Sequence, residues 1–89
     1  MKSVITVIGK DCVGITAKVA ALCAENNVNI IDITQKVLGD LFAMIMLVDI
    51  SEISKEFNDF VDCMNNLGEK EGLKIHTMHE DIFNSMHKI

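Results

Sequence analysis

The sequence predicts an α+β fold in which two helices cover one face of a four-stranded antiparallel sheet. Three observations predict it: β-branched segments alternate with two amphipathic helical segments, a Gly-Asp turn separates two strand-like segments, and 49% of the residues are hydrophobic. A chain of 89 residues fits one domain. Because it has only four Phe and no Trp or Tyr, its core must consist mainly of aliphatic side chains and Met.

The first strand is predicted at residues 3–8 and the first helix at residues 14–26. The strand segment is β-branched and apolar at both odd and even positions, which is typical of a central strand buried on two sides. Asn26 and Asn27 supply a stop signal for the helix. Its apolar residues recur at helical spacing and are expected in the core: Ile15, Val19, Leu22 and Cys23.

Two strands joined by a hairpin are predicted next. Residues 28–38 interleave polar and aliphatic side chains, which is typical of an edge strand. Gly39 and Asp40 lie at the centre of a tight turn. Residues 41–48 are apolar without interruption, a pattern that a buried helix also shows. The turn before this segment and its length of eight residues favour a central strand.

Ser54 is predicted as the N-cap of a second helix that ends near Gly68 to Gly72. Residues 73–78 alternate in the manner of a half-exposed edge strand. The apolar positions of the second helix are Phe57, Phe60, Val61, Met64 and Leu67.

A short amphipathic helix is predicted at the C-terminus, over residues 80–89. Its apolar face consists of Ile82, Phe83, Met86 and Ile89. We therefore expect one domain over residues 1–79 and a helical tail over residues 80–89.

The order β-α-β-β-α-β fixes the architecture. Right-handed crossovers and a short hairpin give the ferredoxin-like sandwich, with the strands in spatial order 4-1-3-2 and both helices on one face. The third strand is apolar on both faces: Phe42, Met44, Met46 and Val48 alternate with Leu41, Ala43, Ile45 and Leu47. Since two helices bury only one face, we expect a homodimer or higher homo-oligomer, a docked C-terminal helix, or both.

Composition and spacing argue against several classes of function. A net charge of −5 offers no basic stripe for nucleic acid. No segment is long and apolar enough to be a signal peptide or to span a membrane, so we expect a cytoplasmic protein. His76 and His79 point to opposite faces of a strand, and the cysteines form no CxxC pair, so we expect neither a metal nor a cofactor. The carboxylates form no acid–base pair and no triad is present, so we expect no enzyme.

The loop Gly9-Lys10-Asp11-Cys12-Val13-Gly14-Ile15, followed by a helix and then by Asn27-Val28-Asn29-Ile30, resembles the signature of ACT domains. The resemblance implies this fold over residues 1–79 and the binding of a free amino acid at an interface beside the loop. At Cys12 the sequence departs from the family, in which a basic residue is frequent.

The start of the first helix is the candidate binding site. Its N–H groups favour an anion such as a carboxylate, and Asp11 can accept hydrogen bonds from an ammonium group. The resemblance places Asn29 close to this loop. The alternative is a structural turn in which Asp11 caps the helix and Gly14 serves only close packing. The candidate ligand-binding residues are Asp11, Cys12, Val13, Gly14, Ile15, Asn29 and Ile30.

These observations leave three functions open. The leading one is an amino-acid-responsive regulatory subunit that acts in trans on an enzyme or regulator. The second is a protein–protein interaction module without a small-molecule ligand. The third is a small enzyme that uses Cys12 at the helix N-terminus as a nucleophile.

Overall fold

A computed structural model of the chain describes residues 1–10 and 14–86. Its elements follow the predicted order, and the predicted ferredoxin-like fold is confirmed. The sheet is antiparallel with the order β2-β3-β1-β4, so the two segments that are apolar on both parities are the central strands. The elements are β1 (Lys2–Gly9), α1 (Ile15–Glu25), β2 (Asn29–Leu38), β3 (Leu41–Asp49), α2 (Phe57–Glu71), β4 (Lys74–His79) and α3 (Glu80–Met86).

The core lies between the sheet and the two long helices. One parity of β1 and β3 faces these helices and is buried, whereas β2 is largely exposed along its length. Cys23 is buried in this core, as predicted. The central contributions are Ile5 and Val7 from β1, Met44, Met46 and Val48 from β3, Ile15 and Val19 from α1, and Phe60 and Met64 from α2.

The first helix ends at the predicted Asn pair. Asn26 is buried, and its Nδ2 donates a hydrogen bond to the Leu22 carbonyl oxygen at 2.7 Å. Asn27 adopts a φ of 59°, in the left-handed region that Asn tolerates better than most residues. The chain therefore turns sharply and enters β2 at Asn29.

The predicted N-cap of the second helix is wrong. Helix α2 begins at Phe57 with Glu56 at the N-cap position. The backbone N–H of Ser54 donates to the Asn26 carbonyl oxygen at 2.9 Å, which ties the loop before α2 to the end of α1. The helix ends at Glu71, where Gly72 takes the left-handed conformation with a φ of 71°.

Gly68 brings α2 close to the sheet. A Cβ at this position would lie 2.9 Å from the Leu73 carbonyl oxygen, a separation that real side chains do not adopt. The residue is buried although it belongs to a helix with a largely polar outer surface. Its missing side chain therefore allows the helix to approach β4.

The other face of the sheet is only partly covered. Helix α3 contacts β1 and β4 on this open face, while apolar side chains of β1 and β3 remain exposed beside it. Within residues 1–10 and 14–86, no helix is both long and apolar enough to cross a lipid bilayer.

Candidate functional site

Gly14 shapes the start of α1. It occupies the N-cap position with a φ of 75° and a ψ of 0°, a left-handed conformation in which side chains other than glycine are strained. A Cβ at this position would meet no atom within 4 Å. The backbone conformation, and not close packing, therefore accounts for the glycine.

The first turn of α1 presents backbone N–H groups to the loop. The Lys18 N–H donates to the Gly14 carbonyl oxygen at 3.1 Å, so the preceding N–H groups have no acceptor within the helix. No side chain in the described part of the chain forms a capping hydrogen bond here. Such an end attracts an anion because the helix dipole is positive there.

The hydrophobic core positions two of the predicted site residues. Ile15 is only 1% exposed, so its side chain belongs to the core and only its backbone can face a ligand. Ile30 is half-buried and packs against the same core. Ile15 thus anchors the start of α1 in the core, and Ile30 anchors the start of β2.

Thr16 and Gln35 join α1 to the sheet, and the sequence reasoning missed both. The Thr16 hydroxyl donates to Met44 Sδ at 3.6 Å and accepts a hydrogen bond from Gln35 Nε2 at 3.3 Å. Polar side chains thus meet beside the edge strand β2, one residue inside the start of α1. The signal in the sequence is a Gln on the same parity as the inward-facing Ile33.

The hairpin between β2 and β3 lies at the same end of the molecule. Lys10 Nζ lies 4.0 Å from Asp40 Oδ2, and both side chains are exposed. Water screens an ion pair of this kind, so it contributes little to stability. It nevertheless shows that the strand end before the candidate loop is next to the hairpin. Asp11, Cys12 and Val13 lie outside the described residues.

Asn29 lies at the opposite end of the sheet. It pairs with Asp49, which pairs with Lys2 at the start of β1, whereas Gly9 at the end of β1 pairs with Phe42. Seven residue steps separate these rows, or about 20 Å along a strand. The expectation that Asn29 is close to the loop of its own chain is therefore wrong. The reason is the crossover, since α1 carries the chain back before β2 begins.

The thiols and histidines are dispersed. Burial raises the pKa of the Cys23 thiol to about 11, so this thiol is protonated near neutral pH. His76 is exposed on the open face, and His79 lies on the opposite parity with its Nδ1 accepting from the Asp81 N–H at 3.3 Å. No group of three metal-binding side chains exists in the residues that the structure describes. Cys12 and His87 are outside those residues.

Comparison with known proteins agrees with the fold. A family model for the ACT domain matches residues 3–77. A UPF0237 protein of Listeria innocua is 47% identical over 89 residues, the full length of both chains. An ACT domain protein from Streptococcus pneumoniae has a structure that superposes with a TM-score of 0.81 at 37% identity, covering 93% of each chain.

A longer protein shares the fold. The structure of a candidate glycine cleavage system transcriptional repressor superposes with a TM-score of 0.71 at 27% identity, over 89% of this chain and 47% of that one. The family model covers most of the chain, and the Listeria relative covers all of it. The chain belongs to the ACT domain family.

Proposed function

We propose that this protein is a regulatory subunit that binds a free amino acid at the start of α1 and acts in trans on an enzyme or regulator. The observation that carries the proposal is the N-terminus of α1, where left-handed Gly14 opens a helix without a capping side chain among the described residues. The ligand carboxylate accepts hydrogen bonds from the N–H groups of Gly14 and Ile15.

A second copy of the chain completes the proposed site. The edge strand β2 carries exposed apolar residues such as Val37, which is 67% exposed, and an exposed edge of this kind favours pairing with another strand. Antiparallel pairing of two β2 strands about Thr34 sets Asp32 of one copy opposite Lys36 of the other. The charges on the β2 edge of one copy are thus complementary to those on the β2 edge of the other copy.

This pairing also brings Asn29 of one copy to the end of the sheet that carries the candidate loop of the other copy. In the same register, the start of β2 in one copy lies beside Leu38 at the end of β2 in the other copy. That end of the sheet holds the hairpin, Lys10 and the approach to the candidate loop. Asn29 of one copy then accepts from the ammonium group of an amino acid whose carboxylate is held by the other copy.

The remaining loop residues complete the proposed contacts. In this proposal Asp11 accepts from the same ammonium group, and Cys12 and Val13 complete the set of candidate binding residues. Charge-assisted hydrogen bonds contribute about 1.5–3 kcal/mol each where water is excluded. Cys12 stands where a basic residue is frequent in the family and supplies no positive charge to an anionic side chain, so we expect a ligand whose own side chain is uncharged.

A regulatory role in place of a catalytic one is part of the proposal. The similarity to a candidate transcriptional repressor supports it, because that protein contains the same fold within a regulator. We place this action in the cytoplasm and assign no residue to catalysis.

Thermal unfolding in the presence of each free amino acid tests the proposal. A ligand at 100 times its Kd adds about 2.7 kcal/mol to the stability of the folded state, which raises the melting temperature of a domain of this size by about 10–20 °C. We expect a selective rise with one or a few amino acids, and no rise for the Gly14→Val variant. If no amino acid changes the melting temperature, the chain acts instead as a protein–protein interaction module. This is the second candidate function, and the exposed β2 edge favours it.

A further inference from the structure

The helix-facing side of the sheet continues beyond the start of α1. Thr16 in the first turn of α1 contacts the row formed by Gln35 and Met44. The next row of the same parity, toward the hairpin, contains Val37 and Phe42. Val37 is 67% exposed, and Phe42 is only half-buried. Val37 and Phe42 therefore form an apolar floor immediately before the helix N-terminus.

Thr16 fixes the orientation of the Gln35 amide. A thioether sulfur only accepts hydrogen bonds, so the Thr16 hydroxyl donates its single proton to Met44 Sδ. The hydroxyl oxygen can then only accept, and the donor that faces it is Gln35 Nε2 at 3.3 Å. Because the amide is planar, the Oε1 atom of Gln35 is directed away from Thr16. Within residues 1–10 and 14–86, this oxygen accepts no hydrogen bond.

The charged side chains at this end of the sheet are paired or lie elsewhere. Lys10 Nζ lies 4.0 Å from Asp40 Oδ2, and Lys18 Nζ donates to Glu71. Lys36 lies on the open face. Three more belong to α2 or β4, at the other edge of the sheet: Glu69, Lys70 and Lys74. None of these groups presents an unpaired charge to the apolar floor.

We propose that Gln35 selects the ligand by its side chain, which is short, uncharged and carries a hydrogen-bond donor, either a hydroxyl or a carboxamide. This inference rests on the proposed function, because it takes the ligand carboxylate to lie at the N–H groups of Gly14 and Ile15. Since Gln35 is bonded to the next residue, Thr16, a short side chain reaches from that carboxylate to the Gln35 amide. An ionised side chain would lose water there without gaining an opposite charge.

The Gln35 amide also disfavours a purely apolar side chain. Such a side chain fits the apolar floor, but it shields Gln35 Oε1 from water without replacing the lost hydrogen bond. A hydroxyl or carboxamide of the same shape replaces that bond. A neutral hydrogen bond of this kind changes the affinity by about three- to tenfold.

Isothermal titration calorimetry of the full chain with pairs of isosteric amino acids tests this selection. Threonine carries a hydroxyl where valine carries a methyl group, and asparagine carries a carboxamide where leucine carries two methyl groups. We expect the polar member of at least one pair to bind about three- to tenfold more tightly than its apolar isostere. The pair that shows the preference distinguishes a hydroxyl ligand from a carboxamide ligand.

The Gln35→Met variant assigns the preference to one side chain. Methionine keeps the length of the side chain but removes the amide, so the polar ligand should bind no more tightly than its isostere. Thr34→Val is the matched control, because Thr34 is exposed on the open side of the same strand, and it should keep the wild-type preference. Circular dichroism verifies that both variants are folded.

The outcomes separate this inference from the proposed function. If no amino acid binds to the wild-type chain, both are overturned. If an amino acid binds and Gly14→Val abolishes its binding, the site at the start of α1 stands. In that case, a charged or purely apolar preferred ligand, or an unchanged preference in Gln35→Met, overturns the role of Gln35 alone.

Discussion

Thr16 Oγ1 accepts a hydrogen bond from Gln35 Nε2 at 3.3 Å, which joins the first turn of α1 to the edge strand β2. The same hydroxyl donates to Met44 Sδ on β3. One side chain thus fixes the start of the helix against two strands, at the place where we propose that the ligand carboxylate binds.

Replacement of Thr16 tests this connection. Thr16→Val keeps the shape but removes both hydrogen bonds, and we expect the free energy of unfolding to fall by about 0.5–1.5 kcal/mol. The matched control is Thr34→Val, because Thr34 is exposed on the open side of β2. Urea unfolding of both variants gives the comparison. Equal losses would show that the Thr16 bonds add no stability of their own.

The left-handed conformation of Gly14 gives a second prediction. Gly14→Ala should cost about 1–2 kcal/mol, since its Cβ has free space around it but the φ of 75° is strained for alanine. Gly14→Asn should cost less, because Asn tolerates this conformation. Thermal unfolding of the three proteins measures the order. If Ala and Asn cost the same, the penalty does not arise from the backbone conformation.

The proposed sharing of the site between two copies gives a third prediction. Asn29→Ala and Asp11→Ala should each weaken amino-acid binding about tenfold or more, because each removes a charge-assisted contact. Asn29 is exposed, so its replacement should leave folding nearly unchanged. Isothermal titration calorimetry measures both affinities, and wild-type values in both variants would place the site elsewhere.

Mixing these two variants separates a shared site from a site within one chain. Half of the dimers in a re-equilibrated mixture contain one chain of each kind, and one of their two sites then holds both Asp11 and Asn29. We expect about a quarter of the wild-type number of tight sites. A site built within one chain would regain none.

Removal of α3 gives a fourth. Truncation after His79 removes the contacts that α3 makes with β1 and β4 and uncovers the sheet beneath it, so the melting temperature should fall. Each well-buried apolar side chain contributes up to about 1.5–3 kcal/mol, and Phe83 is half-buried. Ile82→Ser is the comparison, because Ile82 is exposed within its own chain. An unchanged melting temperature after truncation would show that α3 adds nothing to stability.

Burial of Cys23 gives a fifth prediction, which concerns the pH dependence of the free energy of unfolding. Burial raises the pKa of its thiol to about 11, whereas an exposed thiol ionises near 9. The unfolded chain therefore releases this proton first, and the stabilisation present below pH 9 is lost as pH rises toward 11. Urea unfolding across this range should show a decline that is smaller in Cys23→Ala. Parallel curves for the two proteins would contradict the prediction.

The sequence predicted the sheet better than the site. The apolar parities of β1 and β3 identified the central strands, because a strand covered on both faces has to be apolar on both. The N-cap of α2 was missed, because Ser54 uses its backbone N–H to hold the end of α1, a contact between residues far apart in sequence.

The geometry of the site depends on three-dimensional packing. The bond between Thr16 and Gln35 exists only because α1 lies over β2 and β3, and no local pattern records that placement. The predicted position of Asn29 was wrong although the sequence contained the necessary information, since the length of α1 already implied that β2 begins at the far end of the sheet. The left-handed conformation of Gly14 explains why the loop motif has a glycine at this position. The sequence alone left close packing open as another reason for it.

Gly68 shows how one absent side chain sets the thickness of the whole domain. Alanine is about 1 kcal/mol better than glycine inside a helix, so the local preference at this position favours a larger residue. The nearby Leu73 carbonyl oxygen forbids it, because any Cβ would push α2 away from β4. The spacing between the helical layer and the sheet, and with it the volume available to Phe60 and Met64, therefore depends on the smallest residue in the helix.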